Sequence, residues 1–291
     1  MSVEGVALTT IRSTLLEIGA IENSRIKLFA SKTRDRQVPV WHDPLTGVIF
    51  IDDFYAGDEE YVMGDYRPPF NVCSYEDHAD NQRRAEQFAG FYTGRSVIDF
   101  GCGNGHFLQN IRSRASRLQA VELQTSYRHA LNEAGIPCFA HVDECLPADV
   151  VFLFHVLEHL PDPIPLLRSL REKVAGAGGY VIVEVPHARD FLIAKARCES
   201  FIEFTLWSQH LVLHTRDSLE RLMVAAGLTE VSVLGVQRYG LANHFNWLLR
   251  GEPGGHKGPL ALLQTESLNS EYAAALARLD ATDTLVAIAR A

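Results

Sequence analysis

Three sets of side chains in this 291-residue sequence have types and spacing suited to chemistry. The first is Asp99 followed by Gly101-Cys102-Gly103-Asn104-Gly105, with Glu122 further on. Alternate glycines allow positive φ and let backbone approach a ligand closely. Glu122 is a carboxylate suited to accepting hydrogen bonds from two ribose hydroxyls. The second set is His155-Val-Leu-Glu158-His159. On a helix, H-x-x-E-H would offer two imidazoles to one metal ion. Here Pro161 and Pro163 follow at once, so a regular helix is not expected and no metal is assigned. The third set is the histidines towards the C-terminal half. His210 is the first choice for a general base and His187 the second, because a neutral imidazole can take a proton from a hydroxyl.

The elements that must hold the first set are legible. Val97–Phe100 is a short apolar run with a β-branched start, which predicts a buried strand. A helical pattern starts at His106 (Phe107, Leu108, Ile111). Leu118–Val121 predicts a second strand, ending at Glu122 and Leu123. Strand, glycine turn and helix make a ligand cradle at a strand's carboxyl end. A dinucleotide fingerprint would place its third glycine where His106 stands, so an NAD-dependent oxidoreductase is disfavoured. A ligand without a pyrophosphate, S-adenosylmethionine (SAM), suits an acid at position 99, which would hold water or the ligand's ammonium group.

On Val97–Gly105 and Glu122 the chain resembles the first two motifs of the class I SAM-dependent methyltransferases. That resemblance implies a cofactor site made of Asp99, Gly101, Cys102, Gly103, Asn104, Glu122 and Leu123. It implies an adenine contact from Asp143 or Glu144, which follow the predicted strand 137–142. It also implies that the stretch from Phe154 to Pro163, with His155, lines the adenosine and donor-methyl side of the cleft. The product would be S-adenosylhomocysteine. The Asn/Asp-Pro-Pro-aromatic tetrapeptide of amide and exocyclic-amine methylating enzymes is missing, against DNA or glutamine as acceptor.

Phe204-Thr-Leu-Trp207-Ser-Gln209-His210, with Ala226-Gly227-Leu228, resembles bacterial sugar methyltransferases, above all those acting on carbon of nucleotide sugars. Their segment reads Tyr-x-Glu-His, so His210 falls on the catalytic histidine while Trp207 and Gln209 replace its neighbours. Those enzymes carry an N-terminal zinc module built on cysteine pairs. Residues 26–55 keep its strand-turn pattern, including Thr46–Phe50, without cysteines. The resemblance implies methylation of a small molecule, with O-methylation of a sugar or nucleotide-sugar hydroxyl the leading reading. Sugar C-methylation and a non-catalytic SAM-fold subunit are the alternatives.

Around the site, the pattern divides the chain in two. Residues 1–72 read as an N-terminal helix plus a small β-rich module. Residues 73–291 read as the cofactor-binding domain, a Rossmann-like seven-stranded α/β sheet with a helical insertion at about 240–280 before the last strand. Strands and helices alternate over about 95–186, which specifies parallel strands. Arg238, Arg250, His256 and Lys257 make the insertion locally basic, as a substrate phosphate would require. Tyr55, Tyr61 and Tyr66 are expected either to wall a ligand pocket or to pack on the surface.

Composition bounds the partners. The chain is 47% hydrophobic and 22% charged with net charge −9, ordinary for a soluble fold and against nucleic acid or an anionic membrane as main partner. No apolar run approaches the roughly 20 residues that span a bilayer. The five cysteines are scattered without a C-x-x-C pair, which with the absence of a signal-like N-terminus points to a cytoplasmic protein with reduced thiols. Oligomeric state is not readable.

Overall fold

A computed structural model describes residues 10–52, 54–55, 57, 62, 74–174 and 178–291. Tyr61 and Tyr66 lie outside the described residues. The strands in chain order are β1 (Lys27–Ala30), β2 (Val40–His42), β3 (Ile49–Phe50), β4 (Ser96–Phe100), β5 (Arg117–Val121) and β6 (Cys138–Phe139). They continue with β7 (Val150–Phe154), β8 (Tyr180–Pro186), β9 (Val212–Leu213), β10 (Thr229–Val236) and β11 (Thr284–Arg290).

Seven of them form one sheet in the order β10-β11-β8-β7-β4-β5-β6. The neighbours from β8 to β6 pair in parallel, and β11 runs antiparallel to both β8 and β10. This is the Rossmann-like methyltransferase sheet expected from the sequence. The parallel half follows from alternation of strand and helix. The antiparallel β11 is reached across the insertion, whose helices are Leu241–Arg250 and Glu266–Arg278. Chain order reverses between β4 and β7, and ligands bind at the carboxyl ends of strands at such a switch point.

Both faces of this sheet are covered, which is why β7 reads as an unbroken apolar run. Val151 and Leu153 pack on one side with Leu167, Leu170 and Leu222. Val150 and Phe152 pack on the other with Phe88, Phe107 and Ile182. Fully burying each such side chain contributes about 1.5–3 kcal/mol.

The remaining strands form a small antiparallel sheet, β1-β2-β3-β9. The turn Asp43–Gly47 joins β2 to β3, with Asp43 accepting from the backbone of Leu45 and held by Arg25. The fourth strand, β9, comes from residue 212 onward, pairing Phe50 with Val212 and Ile49 with Leu213. Asp35 ties the same region down by accepting from Ser208 N at 3.0 Å and Ser208 Oγ at 2.6 Å. The small sheet is thus stitched to the segment that carries His210.

Candidate active site

The glycine loop closes β4 onto Glu122. Gly101 and Gly105 take φ of +73° and +68°. A Cβ at Gly101 would meet Val156 Cγ2 at 2.6 Å, and one at Gly105 would meet Leu131 Cδ2 at 2.4 Å. Glycine is therefore required here both by backbone conformation and by space. Glu122, 3% exposed, accepts from Gly103 N and Gln124 N, each at 2.9 Å.

A cavity of about 310 Å³ opens beside this loop, walled by Gly101, Glu122, Leu123, Asp143, His155 and Tyr55 among others. Its apolar flank (Val142, Val156, Leu160) suits an adenine ring and its carboxylate end suits a ribose. The residues present therefore fit the nucleoside expected from the sequence. Asp143 borders the cavity, whereas Glu144 turns back to accept from His141 N at 3.0 Å. Asn104 Oδ1 accepts from His106 N and shapes the loop. Cys102 is held as a thiol, its pKa well above the ordinary value because it is hydrogen-bonded to Cys138 and partly desolvated. Asp99 lies beneath the loop, 2% exposed. Burial pushes its pKa up to about 7, with Arg84 pulling the other way and Glu122 adding to the rise.

A second cavity, of about 380 Å³, adjoins on the far side of His155. His210, Arg34, Asp190, Arg238, Asn243 and Trp247 contribute to it, so the insertion, the small sheet's loop and the β4–β8 region meet there. His155 borders both cavities. It follows β7 with φ of +56°, a left-handed conformation costly for a residue with a side chain. Its Nδ1 lies 3.0 Å from Glu158 Oε1 and its Nε2 3.3 Å from Glu184 Oε1. Desolvation and the nearby Arg238 oppose a charge on this ring, yet the two glutamates win and its pKa is raised. Glu158 itself is 0% exposed. Burial works against its charge, but His155, with His159 and His210, holds its pKa at about 2.

His210 meets Trp207 and His159 edge to face, with ring centroids 5.2 and 5.0 Å apart. Burial, helped by His159, lowers its pKa to about 3, so the imidazole is neutral at any working pH. His187 is 1% exposed and bonds the Thr282 carbonyl through Nδ1 at 2.8 Å. It borders neither cavity, unlike His210. His214 and His244 are buried too, with pKa values near 4 from burial.

Three of the four basic residues named for the insertion meet carboxylates of the chain. Arg238 pairs with Asp80, and both His256 and Lys257 reach Glu76 Oε1 at 3.0 and 3.1 Å. Those three are engaged by the chain's own acids, whereas Arg250 is exposed at the end of its helix. What sequence reasoning missed is the buried acid Glu184, which receives Arg83 at 2.9 Å and Arg84 at 2.6 Å as well as His155. The signal was available: a lone glutamate inside the apolar run Tyr180–Val185.

Sheet order, glycine cradle and ribose-type carboxylate together define a SAM-dependent methyltransferase. The profile of a family described as a methyltransferase domain matches residues 75–233, more than half the chain, and the chain belongs to that family. It is an enzyme of this kind with SAM as its cofactor. Among curated relatives, a ubiquinone biosynthesis O-methyltransferase of Psychrobacter arcticus is 25% identical over 193 residues, covering 60% of this chain and 73% of the relative. One of the same description from Burkholderia pseudomallei is 26% identical over 168 residues, covering 52% and 72%. Among solved structures, a SAM-dependent methyltransferase from Archaeoglobus fulgidus superposes with a TM-score of 0.50 at 18% identity, covering 72% of this chain and 92% of that one, which supports the fold. No helix among the described residues is long and apolar enough to cross a membrane.

Proposed function

We propose that this enzyme methylates a hydroxyl of a small molecule that occupies the second cavity, with His210 governing departure of the hydroxyl proton. SAM, held by the Gly101–Gly105 loop and Glu122, supplies an electrophilic sulfonium methyl. The observation that carries the reading is the shared wall: His155 borders both cavities, so an acceptor in the second meets the donor side of the first. The two relatives described as O-methyltransferases support oxygen as the acceptor atom. A sugar or nucleotide sugar as acceptor rests on the resemblance around His210 and on Arg34, whose guanidinium borders this cavity over the rings of Phe204 and Trp207.

The enzyme's own part is orientation, worth up to about 7–11 kcal/mol in favourable cases. Neutral imidazole is the form that can act on a proton, and burial keeps His210 in that form. The test is His210→Asn. Turnover on the acceptor is expected to fall about 10²–10⁴-fold with SAM affinity by calorimetry unchanged. Wild-type turnover is expected to stay level as pH falls through 6.5, because the ring protonates only near 3. An acid limb centred near pH 6.5 and lost in the variant would contradict this environment for His210. Equal turnover in variant and wild type would remove His210 from the reaction.

A further inference from the structure

The residues between the two cavities form a donor set that the methyltransferase reading leaves unused. One donor atom from each of Glu158, His159 and His210 lies within 4.8 Å of the others. Glu158 is fully buried. One of its oxygens is engaged by His155, while the other, Oε2, is buried without a hydrogen-bond partner. His210 Nδ1 is buried without a partner as well. Buried polar atoms without a partner cost free energy unless something binds them.

We propose that Glu158, His159 and His210 bind a zinc-class divalent cation between the donor and acceptor cavities. The chemistry of the donors specifies the cation. Two imidazoles and one carboxylate suit zinc and its borderline neighbours, and three protein ligands leave a fourth position open. His159 Nδ1 lies 2.9 Å from the Gln209 carbonyl. A carbonyl only accepts, so Nδ1 carries the proton and Nε2 the lone pair, which is how metal-binding histidines are oriented. His155 does the same for Glu158 from behind. The backbone holds the two halves together, since Leu211 N donates to the Glu158 carbonyl at 2.7 Å. Tetrahedral zinc with bonds of about 2.1 Å would space its ligands by about 3.4 Å, so small side-chain rotations close the set. The H-x-x-E-H stretch thus supplies two ligands from a single 3₁₀ turn, Leu157–His159, and the third arrives from another segment. His155 serves as an orienting residue. This revises the assignment of no metal drawn from sequence, which considered only both histidines on one helix.

The inference rests on the proposed function only for its consequence. His210 borders the acceptor cavity, so the open position faces the acceptor. A hydroxyl bound there would have its proton acidified by the cation. His210 would then govern that proton by holding the ion.

The experiment uses the full chain, stripped with chelator and titrated with Zn²⁺ by calorimetry, with elemental analysis after desalting. One zinc per chain is expected, and Co²⁺ in its place should give the visible absorption of a low-coordinate nitrogen–oxygen site. Glu158→Gln and His210→Asn should each weaken Zn²⁺ binding at least 10-fold, with SAM binding retained as the check on folding. The exposed His129→Gln should bind as wild type. A wild-type protein that binds SAM but no stoichiometric zinc overturns the proposal, as does zinc that stays equally tight in both ligand variants. Zinc-free enzyme that methylates a hydroxyl in a His210-dependent way would sink the metal and leave the proposed function standing. Zinc bound at these residues in a protein that methylates no hydroxyl would do the reverse.

Discussion

At the scale of single residues, the site is governed by what burial does to charge. Glu122 is the group whose loss should be felt by the cofactor alone. Glu122→Ala removes an acceptor of charged hydrogen bonds and should weaken SAM binding by about 1–3 kcal/mol, read by calorimetry. Unchanged affinity would mean that the ribose sits elsewhere. Asp190 gives the clearest pH signature. Its carboxyl borders the acceptor cavity, is 4% exposed, and accepts from Leu192 N at 2.6 Å. Burial, with Asp283 nearby, pushes its pKa up to about 8. A raised pKa on an acid means that the folded chain holds the proton more tightly than the unfolded one. The stability this provides is full below about pH 4 and is lost as pH rises towards 8. Asp190→Asn keeps a capping oxygen and removes the titration. Its melting temperature should fall less than that of wild type between pH 5 and pH 9, although Asp99, with the same sign, still contributes in both proteins. Parallel curves would show that Asp190 is charged throughout.

At the scale of elements, the loop between β4 and the helix His106–Ile111 is where sequence and packing meet most tightly. Gly105 precedes that helix in a left-handed conformation, and Leu131 of the next helix occupies the space a side chain would need. Gly105→Ala combines backbone strain with overpacking, and should cost about 1–3 kcal/mol in chemical denaturation. It should also weaken SAM binding, since the Glu122–Gly103 hydrogen bond depends on the same turn. A substitution at Gly90, where a Cβ meets nothing within 4 Å, is the fitting control.

For the whole molecule, the small sheet and the large one share chain. β9 completes the small sheet from within the part that carries His210, and Asp35 binds Ser208 across the same junction. Sheets tied together by hydrogen bonds across one junction are expected to unfold together. Scanning calorimetry should therefore show one transition, shifted down by Asp35→Ala, which strips Ser208 of two charged hydrogen bonds. Two separated transitions would mean that the β-rich module is an independent unit.

Local pattern alone was enough for the donor half of this enzyme. Val97–Phe100, the alternate glycines and Glu122 lie close together in sequence, and a strand-turn-helix unit is built from neighbours, so the strand, the turn and the carboxylate beside it were legible; of the residues named for the cofactor, Gly101, Glu122, Leu123, Asp143 and His155 line the cavity. The parallel sheet was legible for the same reason, as strand and helix periodicities are local. The acceptor half was not. Arg34, Asp190, His210, Arg238 and Trp247 are brought to one cavity by sheet order and by the insertion folding back, which no periodicity encodes. Tertiary structure likewise decided which charges were available. Asp80 and Glu76 engage three of the insertion's basic residues, and Glu184 gathers two arginines and His155. It also decided which histidines meet. His155 and His159, four apart, turn to different partners, while His159 and His210 meet edge to face where the Glu158 carbonyl accepts from Leu211 N. A side chain's type is local, but its partners and its desolvation, which set its charge, exist only once distant segments have packed.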